Sequence, residues 1–382
     1  MTQRRIALFG ATGSIGRNTL EVIRAHPDRF QLVAVSAHTR YPELLQIIET
    51  FHPEVAVLTG RPLPPDAPRT VVWLHGREGL EAVARREDVD TLVVATGSVL
   101  GVFPTLEGLR AGKRVALANK ETLVSFGPVV KEVLKKAPGE LIPVDSEHSA
   151  LFQLWEAYRD HVETLWLTAS GGPFRTLPAE AFDQITPGQA LRHPSWKMGP
   201  KITVDSATLM NKALEVIEAE RLFGLPPKRI QVVIHPQSVV HGMVRLRDGA
   251  FLAHLSWPDM KLPIQYALTY PERVPCPMRP LTFEEMLTLS FEPPDHERFP
   301  ALRLAFRALE LGGTAPTLLN AVNEVAVEAF LGGRLSFPGI ARLVAEALET
   351  LPVVQGTSLE LYLEADQEAR AWARRRLQSG TV

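Results

Sequence analysis

Two acidic residues stand close together after a short apolar run in the first half of the sequence. Asp145 and Glu147 follow the predicted strand Leu141–Val144, and alternation along an extended chain would aim both carboxylates to one side. Carboxylates that close repel each other unless a cation lies between them. Glu215, on a predicted helix downstream, adds a third carboxylate, and an all-oxygen set of this kind suits Mg²⁺ or Mn²⁺. These three residues are therefore candidate ligands of one hard divalent ion.

Hydrogen-bond donors suited to a phosphate group accompany the third carboxylate. Asn211 and Lys212 share a helix face with Glu215, because residues three and four apart are neighbours on a helix. Ser206 lies near the start of the same predicted helix, and Ser170 follows another predicted strand. A solvated strand end and an ordinary surface helix would explain any one of these residues alone. Their joint occurrence favours a metal and phosphate site.

A glycine-rich turn near the N-terminus indicates a second ligand. The segment Ile6–Gly16 is predicted to be a strand, a turn that contains Gly10 and Gly13, and the start of a helix. Glycine lets the backbone approach a pyrophosphate, and a helix N-terminus supplies free N–H groups. The spacing GxxGxxG is a variant of the usual dinucleotide fingerprint. The alternative is a glycine turn that binds nothing.

The end of the second predicted strand discriminates between the two nicotinamide cofactors. NAD sites place an acidic residue there for the ribose 2′-hydroxyl, whereas NADP sites place a cation. This chain has Ser36-Ala37-His38-Thr39-Arg40 at that point, and the first carboxylate after it is Glu43. Arg40 can form a charge-assisted fork with a 2′-phosphate, and the Thr39 hydroxyl can donate to it. NADP is favoured.

The first half of the chain alternates short β-branched runs with amphipathic segments, which supplies a scaffold for these residues. The predicted strands are Ile6–Phe9, Gln31–Ser36, Val55–Leu58, Thr91–Thr96, Val115–Ala118 and Leu141–Val144. Helices such as Thr19–His26 and Pro42–Thr50 are predicted between them. This alternation predicts a parallel sheet covered on both faces, and ligands of such sheets bind beyond the carboxyl ends of the strands.

The second half of the chain is predicted to hold a smaller set of strands and then helices only. The predicted strands are Thr164–Thr168, Ile230–Ile234, Val239–Arg245 and Phe251–Ser256, the last two joined by a turn at Asp248–Gly249. A long loop rich in Gly, Pro and Thr, at about 171–200, is typical of a functional lid. The predicted helices are Ala179–Gln184, Asp205–Gly224, Thr317–Leu331, Pro338–Leu351 and Ser358–Leu377.

Length and composition bound the class of protein. A chain of 382 residues suits two or three domains. Lys+Arg 41 against Asp+Glu 43 gives a net charge of −2, which argues against a nucleic-acid or anionic-membrane surface. The first apolar run is too short for a signal peptide and no run could span a bilayer, so we expect a cytoplasmic protein. The single cysteine, Cys276, excludes a disulfide framework and is expected to pack as a small hydrophobe.

Several long and unusual segments resemble one enzyme family. They are GATGSIG, LANKETLV, PVDSEHSALFQ, ASGGPF, RHPSWKMG, KITVDSATLMNKALEVIEA and HPQSVVHGMV. On these segments the chain resembles the 1-deoxy-D-xylulose 5-phosphate reductoisomerase family essentially from end to end. The resemblance implies an α/β homodimer with three domains in each chain. These are a Rossmann-like parallel-sheet NADPH domain at 1–145, a central α+β catalytic and dimerisation domain at 146–285, and a C-terminal helical bundle domain at 286–382.

The resemblance also implies roles for individual residues. Those implied to bind NADPH are Thr12, Gly13, Ser14, Ile15, Ala37, His38, Thr39, Arg40, Asn119, Glu121 and Gly199. Asp145, Glu147 and Glu215 are implied to hold the metal, and Lys120 and His193 join them as catalytic residues. Those implied to contact the substrate are Lys120, Ser146, Glu147, Ser170, His193, Trp196, Ser206, Asn211, Lys212 and Glu215, with Trp196 on the lid. Relatives are expected to have a Gly-Lys-Asn-like stretch where this chain has His38-Thr39-Arg40, so the side chain that holds the 2′-phosphate stays open.

The implied activity is an isomerisation and reduction by an NADP-dependent oxidoreductase. It converts 1-deoxy-D-xylulose 5-phosphate, a small sugar phosphate, to 2-C-methyl-D-erythritol 4-phosphate in non-mevalonate isoprenoid precursor synthesis. It uses NADPH and Mg²⁺ or Mn²⁺, with Co²⁺ as a further candidate, and it involves no nucleic acid or membrane. One alternative is another NADP-dependent oxidoreductase of the homoserine dehydrogenase type, which does not need the three carboxylates. A non-catalytic NADP-binding protein is the other alternative.

Four more polar residues lie inside or beside the motifs. Glu218 is the next acidic neighbour of the predicted metal helix. His148, His235 and His241 could each orient a ligand or an acidic neighbour. A structural histidine with its hydrogen bonds satisfied is the more common case, and we adopt it as the default for His148 and His235.

Overall fold

The computed structural model describes residues 3–192, 199–282, 284–285 and 288–380. These residues form two compact units. The first unit comprises the described residues of Met1–Thr122, Val130–Ser149 and Asp259–Arg279. The second comprises those of Leu123–Val129, Ala150–Pro258 and Pro280–Val382. The predicted boundaries of three domains, after residues 145 and 285, stay predictions.

The first unit is built on a seven-stranded sheet in which every pair of neighbouring strands is parallel. The strands are β1 (Arg4–Phe9), β2 (Phe30–Ala37), β3 (Val55–Leu58), β4 (Val72–His75), β5 (Thr91–Val94), β6 (Arg114–Leu117) and β7 (Glu140–Pro143). Their order across the sheet is β4-β3-β2-β1-β5-β6-β7. The order reverses beside β1, which is where doubly wound sheets bind their ligands.

Helices connect these strands, and the chain returns to the first unit with one more helix. The helices between the strands are α1 (Ser14–Ala25), α2 (Tyr41–Phe51), α3 (Gly76–Arg85), α4 (Val102–Arg110) and α5 (Lys120–Leu134), of which Leu123–Val129 belong to the second unit. Helix α6 (Ser146–Tyr158) follows β7 and passes into the second unit after Ser149, and α10 (Lys261–Thr269) belongs to the first unit. The side chains of Ile6–Phe9 are fully buried, as expected of a strand covered on both faces. Helix α10 packs on α1, where His26 Nε2 lies 2.8 Å from Gln265 Oε1.

All six strands predicted for the first half are confirmed, but β4 was missed. It lies at the edge of the sheet, and Val72 at its start is 60% exposed. An edge strand buries fewer side chains than a central one, so its pattern is weaker. The apolar run Val71–Leu74 was nevertheless a signal that could have revealed it.

The second unit contains a four-stranded sheet of order β11-β10-β8-β9. Its strands are β8 (Val162–Ala169), β9 (Ile230–Ile234), β10 (Val240–Leu246) and β11 (Phe251–Leu255). Strand β8 pairs with β9 in parallel and with β10 in antiparallel orientation, and β10 and β11 are antiparallel. Both the four strands and the turn at Asp248–Gly249 were predicted correctly.

Helices complete the second unit. They are α7 (Pro187–Ala190), α8 (Pro200–Ala207), α9 (Met210–Phe223), α11 (Ala301–Leu311), α12 (Ala315–Leu331), α13 (Phe337–Thr350) and α14 (Leu359–Gln378). The three long C-terminal helices predicted from the sequence are thereby confirmed. One face of the sheet shares a continuous hydrophobic core with these helices, to which Leu165, Val244 and Leu318 belong. In the described part of the chain, no helix is both long enough and apolar enough to cross a membrane.

The prediction of one helix over Asp205–Gly224 was wrong, because α8 and α9 are separate. Leu209 between them adopts a left-handed conformation with φ of 58°, which an L-residue rarely takes within a helix. The Thr208 hydroxyl donates to Val204 O (3.1 Å) and accepts from Met210 N (3.3 Å), so it supports the break. Helical periodicity continues through this segment, which is why the sequence pattern concealed the break.

Candidate active site

The glycine turn after β1 is built for a close approach of the backbone. Gly10 has φ of 87°, and a Cβ there would lie 2.4 Å from Ala95 O. A Cβ on Gly16 would lie 2.4 Å from Gly10 O, so both positions need glycine. Helix α1 begins immediately after Gly13 and has no side-chain cap on its N-terminus. The predicted pyrophosphate residues Thr12, Gly13, Ser14 and Ile15 thus surround a helix N-terminus that can bind an anion.

The structure places Arg40 beside this turn. Ala37 is the last residue of β2, and His38, Thr39 and Arg40 are exposed beyond it. The Arg40 guanidinium donates from Nη1 to Thr12 O at 3.2 Å. The two predicted parts of the cofactor site, the glycine turn and the cation after β2, are therefore neighbours.

Asn119, in the loop after β6, forms hydrogen bonds with the loop after β5. Its Nδ2 donates to Thr96 O at 2.7 Å and to Ser98 O at 3.0 Å, and its Oδ1 accepts from Thr122 N at 3.0 Å as the cap of α5. Nδ2 also lies 3.0 Å from Glu121 Oε2. Asn119 and Glu121, both predicted to touch the cofactor, thus lie where the carboxyl ends of the strands meet.

The first of two charged clusters lies after β7. The Lys120 ammonium is buried and lies 2.5 Å from Asp145 Oδ2. Ser146 begins α6, and its hydroxyl donates to Glu147 Oε2 at 2.5 Å. The prediction that Asp145 and Glu147 alternate along an extended chain was therefore wrong, because Glu147 lies in the first turn of a helix. His148 is also buried, with Nδ1 3.8 Å from Asp145 Oδ2.

The second charged cluster lies on α9. Glu215 is 0% exposed and accepts hydrogen bonds on both oxygens, from Asn211 Nδ2 at 2.6 Å and from the Lys212 ammonium. Lys212 and Glu218 are buried as well. Charged side chains are rarely buried without a partner or a function. This burial excludes the alternative of an ordinary surface helix for α9.

The glycine pair that follows Ser170 lies against the helix that carries Ser206. Ser170 follows β8, and its hydroxyl accepts from Gly172 N at 3.2 Å. Gly171 and Gly172 both have positive φ, and a Cβ on Gly172 would lie 2.8 Å from Ser206 O. The Ser-Gly-Gly sequence therefore lets the loop after β8 lie directly against α8, which carries Ser206.

Asp205, beside Ser206, is a buried polar residue that the sequence did not single out. It is 1% exposed, and its Oδ2 lies 2.7 Å from Lys201 Nζ. Asn323, on α12, donates from Nδ2 to Asp205 Oδ1 at 2.9 Å. Lys201, four positions before Asp205, was a weak signal in the sequence for an ion pair within the helix. No sequence pattern indicates the contact with Asn323, which lies 118 positions away.

His235 is structural, as the default interpretation holds. It is fully buried; Nδ1 lies 2.9 Å from Ser290 O, and Nε2 accepts from Val239 N at 3.2 Å. A carbonyl oxygen only accepts, so Nδ1 carries the proton and the ring is neutral. His241 Nε2 lies 3.2 Å from Ser256 O.

Part of the predicted lid lies in the core of the second unit. Phe174 and Phe182 are buried, and the ring centroid of Phe174 lies 5.2 Å from that of Phe337. The lid prediction is therefore restricted to residues beyond 190. His193 and Trp196 lie outside the described residues, whereas Gly199 is exposed and immediately precedes α8.

Cys276 is a poor candidate for a nucleophile. Burial raises the pKa of its thiol to about 11, and the negative charge of Asp259 adds to this effect. Since the thiolate is the reactive form, little of it is present at neutral pH. An oxidoreductase that forms a thioester intermediate needs a reactive cysteine, and the single cysteine of this sequence does not meet that need.

A parallel sheet with a glycine turn after its first strand and a cation after its second defines a dinucleotide-binding protein of the Rossmann-like class. Residues 6–127 match the family described as 1-deoxy-D-xylulose 5-phosphate reductoisomerase. Residues 141–223 and 255–372 match two C-terminal domain families of the same enzyme. The chain therefore belongs to the 1-deoxy-D-xylulose 5-phosphate reductoisomerase family.

Curated relatives and solved structures agree over nearly the full length. The reductoisomerase of Cupriavidus pinatubonensis is 48% identical and aligns over 99% of this chain and 98% of its own. That of Thermomicrobium roseum is 48% identical over 97% and 96%. A crystal structure of DOX-P reductoisomerase with NADPH, fosmidomycin and magnesium has a TM-score of 0.92 at 38% identity, covering 98% of both chains. The Zymomonas mobilis enzyme with NADPH has a TM-score of 0.92 at 39% identity, covering 99% and 100%.

These similarities confirm the predicted fold class, with its N-terminal parallel sheet and helical C-terminal region. They also confirm the resemblance on which the predicted residue roles rest. The homoserine dehydrogenase type is not favoured, because the whole chain aligns with reductoisomerases.

Proposed function

We propose that this protein converts 1-deoxy-D-xylulose 5-phosphate to 2-C-methyl-D-erythritol 4-phosphate with NADPH and a divalent metal ion, in isoprenoid precursor synthesis. The observation that carries the proposal is a cluster on α9 in which Lys212 and Glu215 are buried and Asn211 is half-buried beside them. Burying charges on one helix is costly, and a bound metal ion and the phosphate of the substrate would account for it.

For the metal we propose one ion held by Asp145, Glu147 and Glu215. The donor set is all oxygen, which fits Mg²⁺ or Mn²⁺, with Co²⁺ as a further candidate. Three of the similar crystal structures contain magnesium. When bound, such an ion polarises a carbonyl oxygen as a Lewis acid and lowers the pKa of a neighbouring hydroxyl. Glu218 is the next carboxylate on the same helix and is buried as well.

The remaining polar residues are proposed to bind and orient the substrate. Ser146 and Lys120 lie next to the proposed ligand Asp145, so we assign them to the reacting end of the sugar. The residues assigned to the phosphate are Ser170, Ser206, Asn211 and Lys212. Lys212 would then serve two anions, because its ammonium already donates to Glu215. His193 and Trp196, which lie outside the described residues, stay assigned to substrate contact on the strength of the family resemblance.

NADPH is the proposed cofactor, and it is named with similar crystal structures. Its pyrophosphate is assigned to Thr12, Gly13, Ser14 and Ile15 at the N-terminus of α1. Its 2′-phosphate end is assigned to Ala37, His38, Thr39 and Arg40. The residues proposed to lie near its nicotinamide end are Asn119, Glu121 and Gly199.

A spectrophotometric assay tests the proposed function. Absorbance of NADPH should fall when 1-deoxy-D-xylulose 5-phosphate and Mg²⁺ are both present, and EDTA should stop the loss until excess Mg²⁺ is added. Homoserine and its semialdehyde serve as control substrates for the alternative class. Oxidation of NADPH that needs no metal, or that follows a semialdehyde instead, would contradict the proposal.

We further propose that two copies of the chain form a homodimer through the outer face of the four-stranded sheet. The register places Trp166, Met243 and Ala253 in one row across β8, β10 and β11. The rings of Trp166 and Phe251 lie 5.8 Å apart, and Phe251 is 49% exposed. Apolar groups that adjoin on a surface are typical of interaction sites.

Phe251→Glu is expected to dissociate the homodimer. A carboxylate in an apolar interface must lose its hydration, so self-association should weaken by orders of magnitude at neutral pH. Sedimentation velocity at several concentrations measures the change. Val354→Glu is the matched control, because Val354 is 46% exposed but lies between α13 and α14. Equal dissociation by both variants, or by neither, would contradict the proposed surface.

A cytoplasmic location and the absence of nucleic-acid or membrane partners stay predictions from composition. We also keep, as a proposal, the division into domains at 1–145, 146–285 and 286–382. The proposed partner in solution is a small sugar phosphate, in addition to the second copy of the chain.

A further inference from the structure

An open cleft of about 630 Å³ lies beyond the carboxyl ends of β3 and β4. Its lining consists of Thr59, Gly60, Arg61, Pro62, Leu63 and His75. The register pairs Ala37 with Leu58 and Leu58 with His75, so the three strands end side by side. In parallel sheets this is the edge at which ligands bind.

The loop after β3 is fixed in place against the end of β2. Thr59 N donates to Ala37 O at 3.0 Å and Gly60 N donates to His38 O at 2.9 Å, which prolongs the pairing of the two strands. A Cβ on Gly60 would lie 2.3 Å from Cε1 of His38, so this position needs glycine for the ring to pack there. The His38 ring also has Nδ1 3.0 Å from Thr59 Oγ1. His38 is thus engaged in holding the loop.

The next residue of the loop, Arg61, packs on the side chain of the residue that follows Arg40. The Arg61 guanidinium carbon is 5.8 Å from the ring centroid of Tyr41, and Tyr41 directly follows Arg40 in the chain. His75 Nε2 lies 2.9 Å from Arg61 O, which holds the backbone of Arg61 from the other side. One arginine thus contacts the glycine turn and the other lines the cleft, at the same corner of the sheet.

The side chain of Tyr41 adds a polar group beneath Arg61. Tyr41 is 9% exposed, and its hydroxyl has no hydrogen-bond partner among the residues that the structure describes. Burial raises the pKa of Tyr41; the charge of Asp66 adds to this and that of Arg61 opposes it. The hydroxyl therefore stays protonated at neutral pH, and the ring supports the guanidinium of Arg61 that lies over it.

We propose that Arg61 determines the specificity for NADPH over NADH, by binding the 2′-phosphate together with Arg40. The inference rests on the proposed use of NADPH. Two guanidinium groups can share the three oxygens of a phosphate dianion, whereas the 2′-hydroxyl of NADH offers no charge to either of them. His38 positions the loop that carries Arg61. The sequence left open which side chain of His38–Arg40 binds the 2′-phosphate. In this proposal Arg40 shares that role with Arg61, which lies in the next loop.

Binding of small adenosine ligands tests this inference. Dissociation constants for 2′,5′-ADP, 5′-ADP, NADPH and NADH are measured by calorimetry or fluorescence at fixed ionic strength for the wild type and Arg61→Gln. Loss of a charge-assisted fork is expected to weaken 2′,5′-ADP and NADPH by about tenfold or more. Affinities for 5′-ADP and NADH should change by less than about twofold, because neither ligand carries the 2′-phosphate that Arg61 is proposed to bind.

Two further variants sharpen the experiment. Arg69→Gln removes an exposed arginine from the same inter-strand segment outside the lining of the cleft and should leave all four affinities unchanged. Arg61→Lys keeps the charge without the planar fork and should lie between wild type and Arg61→Gln. An equal loss for all four ligands, or no loss for any, would overturn the role of Arg61 alone. Wild-type protein that binds NADPH and NADH equally well would overturn the cofactor assignment, and the role of Arg61 with it.

Discussion

Replacing Glu215 by glutamine is expected to lower kcat at least about a hundredfold. Residues that only orient a metal ligand cost up to about a hundredfold when they are replaced, and a direct ligand should cost at least as much. Glutamine keeps the shape of the side chain but removes its negative charge, so the proposed metal site loses one of its three anionic ligands. The buried ammonium of Lys212 loses its counter-charge at the same time. The Mg²⁺ concentration needed for half-maximal rate should therefore rise, and the Kd for NADPH should stay unchanged.

Glu220→Gln is the matched control for this experiment. Glu220 also lies on α9, but it is only partly buried and its Oε2 pairs with Arg221 Nη1 at 2.8 Å. Its replacement should leave both kcat and the Mg²⁺ dependence near the wild-type values. Thermal unfolding of both variants separates a loss of metal binding from a loss of fold. A Glu215→Gln enzyme that turns over normally at limiting Mg²⁺ would remove Glu215 from the metal site.

Replacing Lys212 by alanine is expected to uncouple the two ends of a two-headed inhibitor. A molecule with a hydroxamate at one end and a phosphonate at the other should bridge the proposed metal ion and the proposed phosphate site. Each head raises the effective concentration of the other, so loss of the phosphonate contact should weaken the whole molecule by about 10²-fold or more. A simple hydroxamate without the phosphonate should bind nearly as before, because Glu215 keeps its hydrogen bond from Asn211.

Inhibition constants for both compounds, with and without chelation of the metal, measure this effect. Lys228→Ala is a suitable control, since Lys228 lies in the short helical turn before β9 and outside the buried cluster. Metal removal should abolish inhibition by either compound. Competition with NADPH instead of the sugar phosphate, or inhibition that survives full chelation, would show that the two sites are assigned wrongly.

Apolar runs and helical periodicity in the sequence predicted the central strands and the long helices. Residues Ile6–Phe9 of β1 and all four residues of β5 are buried, so both strands appear in the sequence as largely apolar runs. Edge strand β4 exposes Val72 and was missed, and the break at Leu209 was missed because it interrupts no periodicity. Each miss is a place where tertiary contacts decide the conformation.

The candidate site divides in the same way. Asn211, Lys212 and Glu215 were predicted to meet, and they do, because helical spacing alone brings them together. Asp145 and Glu147 were paired on a mistaken premise, since α6 begins between them. The contact between Asp205 and Asn323 depends on how α8 packs on α12, which no local pattern reports.

The packing of α10 on α1 has a consequence for the synthesis of the chain. Besides the contact between His26 and Gln265, Lys261 Nζ lies 3.4 Å from Glu21 Oε2, so the helix that covers α1 lies more than two hundred positions after it. The ribosome must therefore synthesise Ala150–Pro258 of the second unit before α10 is available to pack on α1 in the first unit. Contacts so distant in sequence slow folding, and they leave the side of α1 that α10 covers exposed to other chains while the ribosome is still elongating. A gene fragment that ends near residue 150 would encode every strand of the large sheet, yet its product would lack this cover and would be prone to aggregate.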